Sequence, residues 1–205
     1  MSSCLLQSLA GSETSRAEPA LALARFYDEG NVCDRFEEFD DNLLLHRAAA
    51  SSPPVDTLRL CVDEHMLYHT NTNRWVRRAL RCSPAALHFR NRGGKAIGFS
   101  PSVAPAGGCR RLRILRLDNV TVEDGVMEQL DALFPVLEDL ELRDCSYTSI
   151  RIASGTLRSL AIIGNSDMRF CASCLVAIAA APRLATLRII LPIRCLCLIS
   201  TGSSC

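Results

Sequence analysis

Aromatic side chains are scarce in this chain, at 5% of 205 residues with a single tryptophan. An interior built without them has to be aliphatic. Charge of one sign is also missing: 23 Lys+Arg stand against 22 Asp+Glu, a formal net charge of +1. No global field draws such a chain to nucleic acid or to a membrane surface, and neither is expected as a partner. Unbroken apolar runs long enough to cross a membrane are absent as well. The most apolar stretch, 175–200, is interrupted by Pro182, Arg183, Arg188, Pro192 and Arg194, so no transmembrane helix is expected. Met1 to Gly11 has no basic n-region and only a short apolar stretch, which argues against a secretory leader, while Glu13 and Glu18 argue against a transit peptide.

The signatures of common catalytic sites are missing too. No GxSxG elbow, phosphate loop or dinucleotide fingerprint occurs, and Gly93-Gly94-Lys95 is only a fragment of one. His65 and His69 lie four apart but lack the HExxH order, and their Asn- and Thr-rich surroundings read as a loop. Glu37-Glu38 and Asp40-Asp41 read as a solvated helix face, since nothing supplies a matching acid or base. No enzymatic activity and no cofactor are expected. Cysteine, by contrast, is plentiful, with 11 residues. An odd number without a leader points to a reducing compartment, cytoplasmic or nuclear, with mostly buried thiols.

What the chain does have is a recurring aliphatic pattern. Leu137-x-x-Leu140-x-Leu142-x-x-Cys145 is preceded by Leu112-x-x-Leu115-x-Leu117-x-x-Val120. It is followed by Leu157-x-x-Leu160-x-Ile162-x-x-Asn165 and Leu184-x-x-Leu187-x-Ile189-x-x-Pro192. Looser copies start at Val55 and Pro84, so the successive spacings are 29, 28, 25, 20 and 27 residues. These fit the leucine-rich repeat, L-x-x-L-x-L-x-x-N/C-x-L. Alternating residues such as Leu140 and Leu142 share one face of a short strand. One repeat cannot bury that face alone, but stacked repeats bury it against one another. The fold class expected is α/β: a solenoid of about six irregular repeats, its curved sheet of short parallel strands on one side and helices or irregular turns on the convex side.

Three regions follow. Residues 1–33 are expected to be disordered or weakly helical, with Glu18 to Glu29 the helical part. Residues 34–192 form the repeat domain and 193–205 a non-repeat tail. Within the domain, Asp34 to Ala50 reads as a helix with Phe36, Phe39, Leu43 and Leu44 on one side. Asn73 reads as the cap of a helix over Arg74 to Cys82, and 91–109 as a loop. Glu123 to Phe134 reads as a helix with Val126, Met127, Leu130 and Leu133 inward, 145–157 as an irregular connection, and Leu175 to Ala181 as a helix. The array has no capping segment after Pro192 and is expected to expose apolar surface there.

The run 112–145 (LRILRLDNVTVEDGVMEQLDALFPVLEDLELRDC) resembles the leucine-rich region of plant F-box proteins, as does 36–89 with its Phe-rich helix and its Arg74-Trp75-Val76 helix. The resemblance covers about 34–192. It implies a protein that holds a target for ubiquitination, with the ubiquitin transfer performed by partner subunits. In that family an N-terminal F-box docks on the Skp-type adaptor of a cullin ligase. Residues 1–33 hold no Leu-Pro opening and no Ser-x-x-Trp-Arg-like end, so adaptor docking is expected only if an F-box lies upstream. The alternative is a freestanding or truncated repeat protein that never meets the ligase.

Strand alternation places Arg59, His88, Arg116, Glu141, Ala161 and Arg188 in one outward column of the concave face, with Asp118 and Arg143 beside it. Arg59, His88, Arg116, Asp118, Glu141, Arg143 and Arg188 are the residues expected to contact a protein partner, with arginine as the anchor type. The plainer alternative is a solvated sheet face carrying cross-strand pairs such as Arg116 with Glu141. Cys171-x-x-Cys174 with Cys195-x-Cys197 invites a zinc reading, but the second pair is too closely spaced and no metal site is assigned. Elemental analysis of the purified protein is expected to show substoichiometric zinc, and one bound zinc per chain would reverse that assignment.

Overall fold

The structure, a computed structural model, describes residues 7–9, 55–62, 72–92, 97–105, 107–147, 149–164, 175–190 and 196–197. Its front layer is a seven-stranded sheet. Six strands run parallel: β2 (Thr57–Val62), β3 (Ala86–Asn91), β5 (Ile114–Asp118), β7 (Asp139–Arg143), β9 (Ser159–Ile163) and β11 (Thr186–Ile190). A short β1 (Gln7–Leu9) closes the outer edge of β2 in antiparallel fashion. Segment 1–33 was expected to be disordered or weakly helical; these three residues form a strand because β2 offers an otherwise open backbone edge.

Parallel strands need a connection that travels around the far side and returns, and these connections build a back layer. Between β2 and β3 lies helix α1 (Thr72–Arg81), which buries Val76, Ala79 and Leu80. Thr72 already belongs to the helix, so Asn73 is a helical residue rather than its cap. After β3 come β4 (Gly98–Phe99) and a 3-10 turn, Pro101–Val103, in which the Ser102 amide donates to the Ser100 Oγ at 3.3 Å. The expected loop at 91–109 thus contains ordered turns, because Ile97, Phe99 and Val103 are apolar enough to be drawn inward. Strand β6 (Thr121–Val122) pairs with β4, and a further back sheet joins β8 (Ser149–Ala153), β10 (Leu175–Ala180) and β12 (Leu196–Cys197).

Three expectations for this back layer are corrected. Glu123 to Phe134 is not one helix. Gly125 adopts φ +86°, which breaks helical geometry near its start, and only Leu130–Leu133 makes a helical turn, α2. Val126, Met127 and Leu130 still reach the core, joined by Phe134, while Leu133 is partly buried. Leu175 to Ala180 is a strand rather than a helix. Val176 and Ile178 are buried and alternate with half-buried Ala177, a period of two, and β8 supplies the parallel partner. A short apolar run reads equally well either way in isolation. The connection between β7 and β9, expected to be irregular, carries β8, whose Ile150 and Ile152 alternate inward. The candidate helices in 18–50 and the loop holding His65 and His69 lie outside the described residues.

Register holds the front layer together. Leu58, Leu87, Leu115, Leu140 and Leu160 stand opposite one another on successive strands, and none is more than 2% exposed. Leu60, Phe89, Leu117, Leu142 and Ile162 form a second buried row. Each such side chain contributes roughly 1.5–3 kcal/mol by leaving water. A backbone motif repeats where the strands begin. The carbonyls of Ala85, Arg113, Glu138 and Arg158 each accept two amides of the following repeat at 2.8–3.2 Å. Turns after the strands use left-handed residues, Asn119 at φ 56° and Asp144 at φ 50°, the types that tolerate this conformation best after glycine. Gly108 is needed for two reasons: its φ is +74°, and a Cβ there would stand 2.5 Å from the Ala132 carbonyl oxygen.

The last strand differs. Leu187, in register with buried Leu160, is 40% exposed, so this inner row ends open to solvent at β11. Leu140→Ala is therefore expected to cost about 2–5 kcal/mol in urea unfolding, and Leu187→Ala under about 1 kcal/mol. Equal losses would show that the two leucines do not occupy centre and end of one stack.

Candidate functional site

The outward face of the front sheet inherits the same register. Arg59, His88, Arg116, Glu141, Ala161 and Arg188 form one continuous row across β2, β3, β5, β7, β9 and β11. The adjoining row reads Cys61, Arg90, Asp118, Arg143, Ile163 and Ile190. Arg59, Arg90, Arg116, Arg143 and Arg188 are exposed, whereas His88, Asp118 and Glu141 are half-buried. Ala86, in register with Thr57 and Ile114 at the start of β3, is buried, and its amide donates to the Asp56 carbonyl at 2.8 Å.

Six of the seven expected contact residues converge. Arg59, His88, Arg116, Asp118, Glu141 and Arg143 line a single recess of about 450 Å³. Arg188 does not belong to it, because β9, carrying the small Ala161 in this row, stands between β7 and β11. Two further arginines, Arg90 and Arg92, also line it, together with Leu60, Cys61, Phe89 and Leu117. Arg92 occupies the N/C slot of its repeat, where a cation is out of pattern, and that was the available signal. The preceding Asn91 takes the buried role in its place. Its side-chain amide donates to the Asn119 carbonyl at 3.0 Å and Asn119 returns the bond at 3.0 Å, leaving Arg92 exposed.

Charges within the recess are partly matched. Arg90 meets Asp118 at 3.1 Å and Arg116 meets Glu141 at 3.3 Å, both across adjacent strands. Arg143 donates to the same Glu141 at 2.6 Å. These partly exposed pairs contribute little stability, on the order of tenths of a kcal/mol, and set each arginine beside a carboxylate. The hydrogen bond from Arg143 to Glu141 raises the arginine's pKa further. Burial raises the Asp118 carboxyl above its ordinary value, partly offset by Arg90 and Arg143. His88 is pushed the other way, first by burial and then by Arg116 and Arg59 on either side, which hold it below 6.5. Its imidazole is therefore neutral at pH 7 and can both donate and accept a hydrogen bond.

Of the thiols, half-buried Cys61 lines the recess, whereas Cys109 and Cys145 lie in the core. Cys145 is buried at the N/C slot of its repeat, its Sγ 3.4 Å from the Leu117 carbonyl, and burial raises its pKa to about 12. Cys109 is raised to about 11 for the same reason. Neither supplies thiolate near neutral pH. Among the described residues no three His, Cys, Asp or Glu side chains are grouped to hold a metal, and no helix is long and apolar enough to cross a membrane. The cysteine quartet considered for zinc, His65, His69 and the acids at 37–41 lie outside the described residues, apart from Cys197, which is placed in β12.

The His88 environment has a measurable consequence. Because its folded pKa is below the unfolded value, the unfolded chain takes up the proton first, and this contribution to stability is lost as pH falls below 6.5. Arg116→Gln is expected to move the His88 titration upward, followed by NMR of the imidazole, yet still below 6.5 because burial remains. An unmoved titration would show that Arg116 does not act on it.

Comparisons with known proteins agree with this architecture. Residues 62–199 match the family profile described as FBD-associated F-box protein At5g56370, LRR repeats. Among curated proteins, the meiotic F-box protein MOF of Oryza sativa subsp. japonica is 36% identical over 166 residues. That alignment covers 78% of this chain and 33% of the relative, so the chain spans about a third of the relative's length. No solved structure matches. With parallel strands stacked in register and the family match running over most of them, the chain belongs to the FBD-associated F-box protein family and carries its leucine-rich repeats.

Proposed function

We propose that this chain is the partner-binding module of an F-box ubiquitin-ligase subunit, holding a target protein on the outward face of its front sheet. Its six parallel strands are read as six repeats. The module works without catalysis of its own, and any ubiquitin transfer belongs to partner subunits. One observation carries the reading: a continuous run of polar and charged side chains from Arg59 to Glu141, held in register, lies over a buried, mainly aliphatic core. A rigid surface of this kind binds with little ordering cost. The buried, unionised thiols Cys109 and Cys145 are compatible with the reducing cytoplasm or nucleus. Docking on a Skp-type adaptor requires an F-box outside the repeats. In the second reading, a freestanding repeat protein uses the same face without the ligase, and co-purification with the adaptor separates the two.

Reversing both Arg116 and Arg188 to Glu is expected to lower the yield of specifically captured partner about tenfold, while Glu128→Arg on the back layer leaves it unchanged. Equal yields from the front-face and back-layer variants would remove the front face from the mechanism.

A further inference from the structure

The recess is not evenly neutralised. Five arginines and two carboxylates line it, a surplus of three positive charges at neutral His88. Both carboxylates are engaged, Asp118 by Arg90 and Glu141 by Arg116 and Arg143. Those pairs gather on β3, β5 and β7. The remaining cations, Arg59 on β2 and Arg92 just beyond β3, make no ion pair with any acid among the described residues. His88 lies in register with Arg59, with Arg92 four residues further along the chain. From the Arg59–His88 level to Arg92 is roughly 13 Å, four steps of about 3.3 Å along an extended chain.

We propose that Arg59, His88 and Arg92 hold a short acidic stretch of the protein partner, its carboxylates forked by the two guanidinium groups and hydrogen-bonded at the Arg59 end by the adjacent imidazole. The proposal rests on the front face being the binding surface and names the chemistry of what it binds. Arginine presents paired donors that match a carboxylate, and two arginines with no ion pair among the described residues, set on a partly walled surface, lose less to solvent than isolated surface cations. The length of the site suits about four or five extended residues. Fixed carboxylates at Asp118 and Glu141 interrupt the cationic surface towards β5 and β7, which disfavours a long uniform polyanion such as nucleic acid and favours a short acidic segment followed by neutral or basic residues.

The test uses the full chain and a fluorescein-labelled peptide of alternating Asp and Glu flanked by Gly-Ser linkers, compared with the same peptide carrying Asn and Gln. Anisotropy is expected to show at least about tenfold tighter binding of the acidic peptide, weakening as salt is raised. The double variant Arg59→Glu/Arg92→Glu is expected to abolish that preference, while Arg110→Glu, exposed and outside the recess, retains it. Adding the acidic peptide is expected to move the His88 imidazole titration to higher pH, a readout that a merely structural role for His88 would not show. Should the double reversal lower the thermal midpoint, Arg59→Gln/Arg92→Gln serves in its place. Equal affinity for the two peptides, or an unchanged preference in both double variants, overturns the proposal. So does tighter binding of a single-stranded oligonucleotide with the same sensitivity to these variants. If partner capture still depends on Arg116 and Arg188 while the peptides show no preference, only the acidic ligand is lost; if neither responds, the front face is not the binding surface.

Discussion

Stacking in register is the constraint from which the rest of this molecule follows. Each parallel front strand presents two apolar side chains inward at matching levels, and each finds its counterpart on the neighbouring strand. A slip of one residue would turn Leu140 and Leu142 outward and bring Glu141 into the core. The cost of burying that charge without a partner far exceeds what any local contact could return. The register is therefore set by the core, and the outer face receives its arrangement as a consequence. Arg116 meets Glu141 because Leu115 meets Leu140.

The back layer obeys a weaker rule. It has only to carry the chain from one front strand to the next while covering the inner rows, and several solutions coexist. A helix serves between β2 and β3, turns with one helical segment between β5 and β7, and strands in the connections holding β8 and β10. Small polar devices adapt each crossing. Asp131 in α2 accepts the Ser154 hydroxyl at 2.7 Å and the Gly155 amide at 3.0 Å, tying the helical turn to the bend after β8. Arg111 ties the start of β5 to the start of β2 through Asp56 at 2.7 Å and the Val55 carbonyl at 3.2 Å. The front sheet tolerates this irregularity because its own bonds run strand to strand and do not pass through the back layer.

On the outer face, a nearly neutral chain becomes locally uneven. Carboxylates cluster where β5 and β7 are adjacent, each beside arginines that compensate it, and the cations left over lie towards β2. A net charge of +1 conceals this, because it sums over residues that never meet. The neutral state of His88 depends on the same geometry. Two arginines on adjacent strands flank it only in the folded chain, and burial adds to their effect.

The repeat spacing, the identity of the front strands and the outward column from Arg59 to Arg188 were determined by the sequence alone. Period-two alternation at fixed leucine positions leaves one consistent way to bury those side chains, so strand, face and register follow from it. Tertiary structure decided what local pattern leaves ambiguous. The run at 175–180 became a strand because β8 stands ready to pair with it, and 123–134 broke at a left-handed glycine whose role periodicity does not reveal. The recess was also a tertiary result. Arg92 joined it because Asn91 turned inward to bond with Asn119, a partner 28 residues away, and Arg188 fell outside it because β9 intervenes. Contacts between distant repeats are invisible to a pattern read along one of them, and it is those contacts that assign each charge its neighbours.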